Sequence, residues 1–271
     1  MIIENEREFI FTDENFTQVR QLMFKFSGVN ISEAKRNMVY SRLSKRLRDL
    51  SLQDFSHYLK QVKQSSREQA HFVNALTTNL TAFFREQHHF SAVEQYLQKH
   101  NRSMNIWSAG CSSGEEPYSL AITAIKARNS FSPKVRILAS DINSEVLRFA
   151  KKGVYNLEDV DKLPSTIKQS FFFKGKKKQI GKAKIIPDVK GIVAFKNINL
   201  FSAEWQLPGM FDIIFCRNVL IYFKPKEKER IIRQMLTHLK TGGLLVVGHS
   251  ENYSHLTQEL ISVGQTIYQK R

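Results

Sequence analysis

Residues 105–122, NIWSAGCSSGEEPYSLAI, constrain the fold more than any other stretch. The apolar pair Ile106-Trp107 gives way to the small residues Ser108-Ala109-Gly110-Cys111-Ser112-Ser113-Gly114, then to Glu115-Glu116-Pro117 and an apolar pattern at helical spacing. This reads as a strand that turns sharply into a helix, the unit from which parallel sheets are wound. The alternation recurs downstream. Residues 105–109, 135–140, 192–197, 212–217 and 243–248 are expected as strands. Residues 117–129, 143–152 and 225–240 are expected as helices. Gly153 suits a helix exit, Pro225 a first helical turn, and Gly242-Gly243 the exit of that third helix. The expected architecture is an α/β, doubly wound sheet, with the terminal GQTIYQK as an added edge strand.

Upstream, residues 12–80 read as helical. Val39, Leu43, Leu47 and Leu50 share one face of ISEAKRNMVYSRLSKRLRDL, and Lys35, Arg36, Arg42, Lys45, Arg46 and Arg48 lie opposite. Phe55, Tyr58, Leu59 and Val62 recur at helical spacing, and Ser65 with Glu68 fits a capping box. Residues 154–190 are lysine-rich and interrupted by glycines, which suits a small antiparallel insertion or a loop. The expected organisation is a helical unit over 1–80 and a sheet unit over 81–271, with 154–190 inserted into it.

The chain has 41 basic and 25 acidic residues, a formal charge of +16. That balance implies an acidic partner: nucleic acid, an anionic membrane or an acidic protein surface. Two cysteines, Cys111 and Cys216, form neither a disulfide framework nor a metal-ligand set, so no metal is expected. The N-terminus carries acids early and lacks the long apolar region of a secretory signal. No run approaches the roughly 20 apolar residues of a membrane span. A cytoplasmic location without membrane insertion is expected.

In open α/β sheets, ligands bind at the carboxyl ends of the strands. The turn G-C-S-S-G lacks the G-x-G-x-x-G spacing of dinucleotide binders, and carboxylates beside it would repel a pyrophosphate. They suit a ligand with hydroxyls, an amine or a cation. Asp141, at the end of ILASDIN, can accept hydrogen bonds from ribose hydroxyls; equally, Asp141 or Asn143 can cap the following helix. FDIIFCRNVLIYF places Cys216, Arg217 and Asn218 where a doubly wound enzyme puts its chemistry. The ordinary alternatives are a surface ion pair for Arg217, a small buried side chain for Cys216 and plain core for Tyr222. In NALTTNLTAFFREQHHF, Asn79, Thr81 and Arg85 surround Phe83-Phe84, and one helical face would hold Thr81 with Arg85. His88-His89 lacks acidic or cysteine companions at metal spacing and reads as structural. His249 fits a site or a turn.

Several segments together resemble one family, the chemotaxis-receptor protein-glutamate O-methyltransferases, or CheR family. They are TTNLTAFFREQHHF, WSAGCSSGEEPYSLAI, LASDINSEVLRFAKKGVY, FDIIFCRNVLIYF, GGLLVVGHSENY and VGQTIY, in matching order from about residue 75 to the C-terminus. The resemblance implies a class I, Rossmann-like fold that binds S-adenosyl-L-methionine (AdoMet), an all-α N-terminal domain and a small antiparallel β-subdomain. By position, the cofactor contacts fall on Asn79, Thr81, Arg85, Glu116, Asp141, Asn199, Leu200, Cys216 and Arg217. Glu115 is then solvent-facing or a first-turn acid. Arg85 and Tyr222 fall beside the reacting methyl group.

The implied reaction methylates receptor glutamates, giving γ-methyl esters and S-adenosyl-L-homocysteine (AdoHcy). The implied partners are acidic receptor helices docked through Arg42, Lys45, Arg46 and Arg48. Some members also capture a receptor C-terminal pentapeptide at the β-subdomain, where this chain carries Lys176-Lys177-Lys178 in place of a glycine-rich turn. A monomer without a nucleic-acid partner is expected. The rivals are a nucleic-acid methyltransferase, disfavoured for amino-methylation because CRNVLIYF lacks the Pro-Pro motif, and a non-catalytic AdoMet-binding module.

Overall fold

The computed structural model describes residues 7–249, 253 and 258–271. The N-terminal part is built from α1 (Asp13–Ser27), α2 (Arg36–Asp49), α3 (Phe55–Gln64) and α4 (Ser66–Leu76). Thr12 opens α1 through a reciprocal capping box with Asn15. The helix ends at Gly28 with φ of 71°, where an added Cβ would stand 2.3 Å from Phe201 of the sheet domain. Val19, Met23, Val39, Leu43, Leu47, Phe55, Tyr58 and Phe72 bury the apolar faces against each other. Leu50, expected on that stripe, is only partly buried at the helix exit.

Only half of the expected capping box opens α4. Ser65 Oγ accepts from Glu68 N, but the Glu68 carboxylate does not return to the cap. It accepts two bonds from Arg46 instead, Nε at 2.8 Å and Nη2 at 2.6 Å. A bidentate guanidinium is the stronger partner for a buried carboxylate.

After α4 the chain is irregular until α5 (His88–Lys99), followed by β1 (Met104–Ala109), α6 (Glu115–Arg128), β2 (Val135–Asp141) and α7 (Ser144–Lys152). Next come β3 (Val154–Asn156), α8 (Leu157–Asp161), α9 (Ser165–Phe171), β4 (Phe172–Lys174), β5 (Lys182–Ile185), α10 (Pro187–Gly191) and β6 (Val193–Asn197). The chain ends with β7 (Phe211–Cys216), α11 (Pro225–Thr237), β8 (Leu239–Val247), β9 (Leu260–Gly264) and β10 (Ile267–Lys270). The main sheet runs β6-β2-β1-β7-β8-β10-β9. Pairs among the first five strands are parallel, whereas β10 is antiparallel to both neighbours. Helices α5 and α6 contribute to one core layer and α11 to the other.

Two expectations change. The GQTIYQK strand, β10, is not the edge; β9 pairs outside it, and only the first of its five residues is buried. The helix expected to reach residue 240 stops at Thr237, because Leu239 already pairs with Phe211. Gly242 and Gly243 therefore lie inside β8, beside a register shift, rather than at a helix exit.

Within 154–190, β3-β5-β4 form a separate antiparallel sheet. It is pinned to the larger core by Phe83, whose ring lies 4.8 Å from Tyr155 and 5.3 Å from Phe172, centroid to centroid. No helix among the described residues is long and apolar enough to cross a membrane.

Candidate active site

Strand order reverses between β1 and β7, since connections from β1 run one way to β2 and those from β7 run the other way to β8. Such a reversal opens a crevice at the carboxyl ends of the strands. A cavity of about 390 Å³ lies there, closed on its far side by the helical domain. Asn79, Thr81, Arg85, Glu116, Asp141, Asn199, Leu200, Arg217 and Tyr222 line it. Cys216 does not. It is fully buried among Ile214, Leu245 and Val247 in the second core layer, the ordinary place of a cysteine outside a disulfide.

The turn after β1 shapes the floor. Gly110 has φ of 81°, and a Cβ there would stand 2.2 Å from Val219 Cγ2. Its N–H and that of Cys111 donate to Ser140 O at 2.7 and 2.9 Å, folding the turn onto β2. Asp141 Oδ2 then accepts from Ser112 N, and Oδ1 from Asn143 N, each at 2.8 Å. The helix cap is Asn143, whose Oδ1 accepts from Glu145 N and Val146 N. That leaves Asp141 on the cavity wall. Burial raises its pKa, against the pull of the backbone N–H groups.

Glu116 enters from the first turn of α6. Ser108 Oγ donates to Oε1 at 2.7 Å, and Arg217 Nη1 lies 3.2 Å from Oε2. Burial raises the Glu116 pKa, and the Arg217 charge opposes the rise. Glu115 is a first-turn acid, half-buried rather than solvent-facing, and accepts from Ser113 Oγ at 2.6 Å. Arg217 forms a buried ion pair, not a surface one: its side chain is 2% exposed.

Arg85 and Thr81 both reach the cavity, but not from one helical face, because residues 77–87 are irregular. Phe84 and Glu86 have φ of 53° and 58°, which no helix accommodates. Two anchors impose the bend: Phe83 plugs into the β-subdomain aromatics, and Phe84 N donates to Ser119 Oγ at 3.0 Å. Arg85 is then half-exposed at the cavity mouth, with Nη1 donating to Leu80 O.

The helical domain supplies residues that sequence reasoning did not place here. Lys35 and Met38 line the cavity, and Lys35 Nζ stands 5.0 Å from the centroid of the Tyr222 ring. Asn30 N donates to Tyr222 O at 2.8 Å, and Asn199 Nδ2 to Phe26 O at 2.7 Å. The seam is further closed by Asn74, which exchanges hydrogen bonds with Ser144. Nothing in the local sequence signals these long-range partners.

His89 is buried, with Nε2 2.9 Å from Thr266 Oγ1, and burial with the Arg217 charge pushes its pKa down to about 4. The His88 ring lies between His89 and the exposed His249, tilted 51° to the first and 47° to the second; His249 sits in a turn. Among the described residues no His, Cys, Asp and Glu side chains gather as a metal site.

The cavity thus combines a buried carboxylate (Glu116) and a partly buried one (Asp141), a paired guanidinium, apolar walls and a mouth carrying arginine and tyrosine. A ligand with hydroxyls and a positive charge matches this donor set; a diphosphate does not.

Comparisons agree with this chemistry. A family model described as the all-alpha domain of CheR methyltransferase matches residues 14–77. A second, the CheR methyltransferase SAM-binding domain, matches residues 79–269. The chain is 46% identical over 266 residues to chemotaxis protein methyltransferase 2 of Pseudomonas aeruginosa, covering 97% of this chain and 95% of that protein. It is 40% identical over 270 residues to the chemotaxis protein methyltransferase of Salmonella typhimurium, covering 99% and 94%. With that of Escherichia coli it shares 39% over 270 residues, again 99% and 94%. Two domain matches covering both halves of the seam, and relatives aligned almost end to end, make this chain a member of the CheR methyltransferase family.

Proposed function

We propose that this protein transfers the methyl group of AdoMet to glutamate side-chain carboxylates of methyl-accepting chemotaxis receptors, giving glutamate γ-methyl esters and AdoHcy. The observation that carries the reading is the cavity at the strand-order reversal, where Glu116 and Asp141 sit inside and Arg85 and Tyr222 stand at its lining, in a chain of this family. When bound, AdoMet supplies an electrophilic methyl carbon on a sulfonium. Asp141 accepts hydrogen bonds from its ribose hydroxyls, and the Glu116 carboxylate complements its positive charge. Asn79, Thr81, Arg85, Asn199, Leu200 and Arg217 complete the holding set.

The substrate carboxylate is already ionised at neutral pH, so no general base is needed. Arg85 draws that carboxylate to the mouth and, with Tyr222, fixes its line of approach. Orientation and exclusion of water supply the acceleration.

Docking falls on part of the basic face of α2. Arg42 donates to Ala75 O and Thr77 O, at 3.1 and 2.7 Å, and Arg46 is committed to Glu68. Lys45 and Arg48 are exposed; Arg48 Nη1 donates to the equally exposed Glu8 Oε2 at 2.6 Å, a solvent-facing pair that an acidic partner can displace. These two are the contacts for acidic receptor helices. Charge complementarity also supports a receptor C-terminal carboxylate near Lys176–Lys178 in the β-subdomain. The protein acts as a monomer in the cytoplasm, with 1–80 as docking unit and 81–271 as catalytic unit.

The test is mass spectrometry of receptor peptides after incubation with AdoMet, with total RNA in a parallel tube. Methyl esters on glutamates, absent when those glutamates are replaced by alanine, support the reading. Methylated bases in the RNA tube and none on the receptor overturn it.

A further inference from the structure

Arg85 sits between two residues in left-handed backbone conformations, Phe84 and Glu86. For non-glycine residues this costs energy and persists only where the surroundings impose it. The side chain of Glu86, 14% exposed, supplies part of that constraint. Its Oε2 lies 3.3 Å from Arg217 Nη2 and its Oε1 lies 4.0 Å from Arg85 Nε. Arg217 Nη2 in turn donates to the main-chain carbonyl of Arg85 at 2.5 Å. The guanidinium of Arg217 is wedged beside Phe90 and Phe215, 5.7 and 5.9 Å from their ring centroids. Glu86 therefore grips Arg85 twice, directly by charge and indirectly through the cation that holds the Arg85 backbone.

His89 does not compete for this carboxylate. Thr266 Oγ1 donates to Gln265 O at 2.7 Å, so it accepts from His89 Nε2. The Nδ1 atom of the neutral ring then carries no proton, and it faces Glu86 Oε2 at 3.4 Å without a hydrogen bond. Glu86 Oε2 thus faces Arg217 Nη2 and His89 Nδ1 without a hydrogen bond to either, and its charge acts on the two arginines through space. Without it, Arg217 keeps Glu116 as its remaining acidic neighbour, and the pull of that acid on Nη1 is no longer balanced by one on Nη2, the atom that bonds the Arg85 carbonyl.

We propose that Glu86 is a positioning residue that acts through Arg217, and directly on Arg85, to set the Arg85 guanidinium at the mouth of the cavity. This rests on the reading of the cavity as the AdoMet site.

The test is a double-mutant cycle on the full chain with Glu86→Gln, Arg85→Ala and the pair, reading AdoHcy Kd by calorimetry and the melting temperature of each protein. If Glu86 acts through Arg85, Glu86→Gln weakens AdoHcy about tenfold, yet by less than about twofold once Arg85 is already alanine. Glu86→Asp, which keeps the charge, recovers part of the loss and replaces Glu86→Gln in the cycle if the latter does not fold. A merely structural Glu86 lowers affinity by the same factor in both backgrounds, and that result, or unchanged affinity in Glu86→Gln, overturns the proposal. Failure of the unmodified protein to bind AdoHcy is a different result: it removes the AdoMet reading of the cavity and the proposal with it.

Discussion

Lys35 and Tyr222 meet across the domain seam, with the ammonium 5.0 Å from the ring centroid, so that a helical-domain cation packs on a tyrosine that lines the cavity. Tyr222→Ala, which removes the ring, is expected to lower kcat/KM for receptor by about a hundredfold or more. Lys35→Met removes only the cation and is expected to cost about fivefold. Steady-state methylation of receptor-bearing membranes checks both values.

Arg217 is the shared partner of two acids, Glu86 and Glu116, inside the protein. Arg217→Met roughly keeps the volume but takes the shared guanidinium from both carboxylates, leaving Glu116 only the Ser108 hydroxyl and Glu86 only the distant Arg85. A loss of about 3–5 kcal/mol is expected, read as a lower urea midpoint with an unchanged slope. Adding Glu86→Gln to that variant should restore part of the loss, because one stranded charge is removed.

The basic face of α2 separates into two groups that behave differently. Arg46→Ala strands the buried Glu68 and is expected to destabilise the helical domain by about 2–4 kcal/mol. Lys45→Glu with Arg48→Glu should leave stability nearly unchanged and raise KM for receptor, most strongly at low salt. Thermal melts and methylation at two ionic strengths distinguish the two effects.

Stability should also fall on mild acidification. His89 faces Arg217 and His88 with Glu86 opposite, and burial first, then Arg217, pushes its pKa from 6.5 down to about 4. The unfolded chain takes up this proton near 6.5 and the folded protein refuses it until about 4. The contribution, of order 3 kcal/mol, is complete above pH 6.5 and drains away as pH falls toward 4. His238, also lowered by burial, adds in the same direction. Glu116 and Asp141 have raised pKa values, so the folded state binds their protons first and gains stability at the acid end. Melting temperature should therefore drop between pH 7 and 5, and His89→Gln should flatten that slope.

The parallel strands were legible because central strands are buried on both faces and read as apolar runs ending in glycine or polar residues. β9 escaped because four of its five residues are exposed, so its sequence carries no burial pattern. The Thr81–Arg85 spacing looked helical because periodicity cannot see the anchors that bend 83–87. Asp141 and the Glu115-Glu116 pair were legible from their place after strands, whereas the choice of Glu116 within the pair came from the family resemblance. Asn199 and Leu200 came only from the family resemblance, since no local motif marks them. Lys35 and Met38 arrive at the cavity across the seam, and Arg46 meets Glu68 from a different helix; a helical wheel shows only the face they leave from.

The most direct measurement is base-labile release of methanol from receptor-bearing membranes incubated with methyl-labelled AdoMet. Carboxyl methyl esters release it on raising the pH; methylated bases do not. Volatile label is expected with the unmodified protein, and its near-complete loss with Arg85→Ala. Label that stays bound through alkali, or volatile release undiminished in Arg85→Ala, would contradict this expectation.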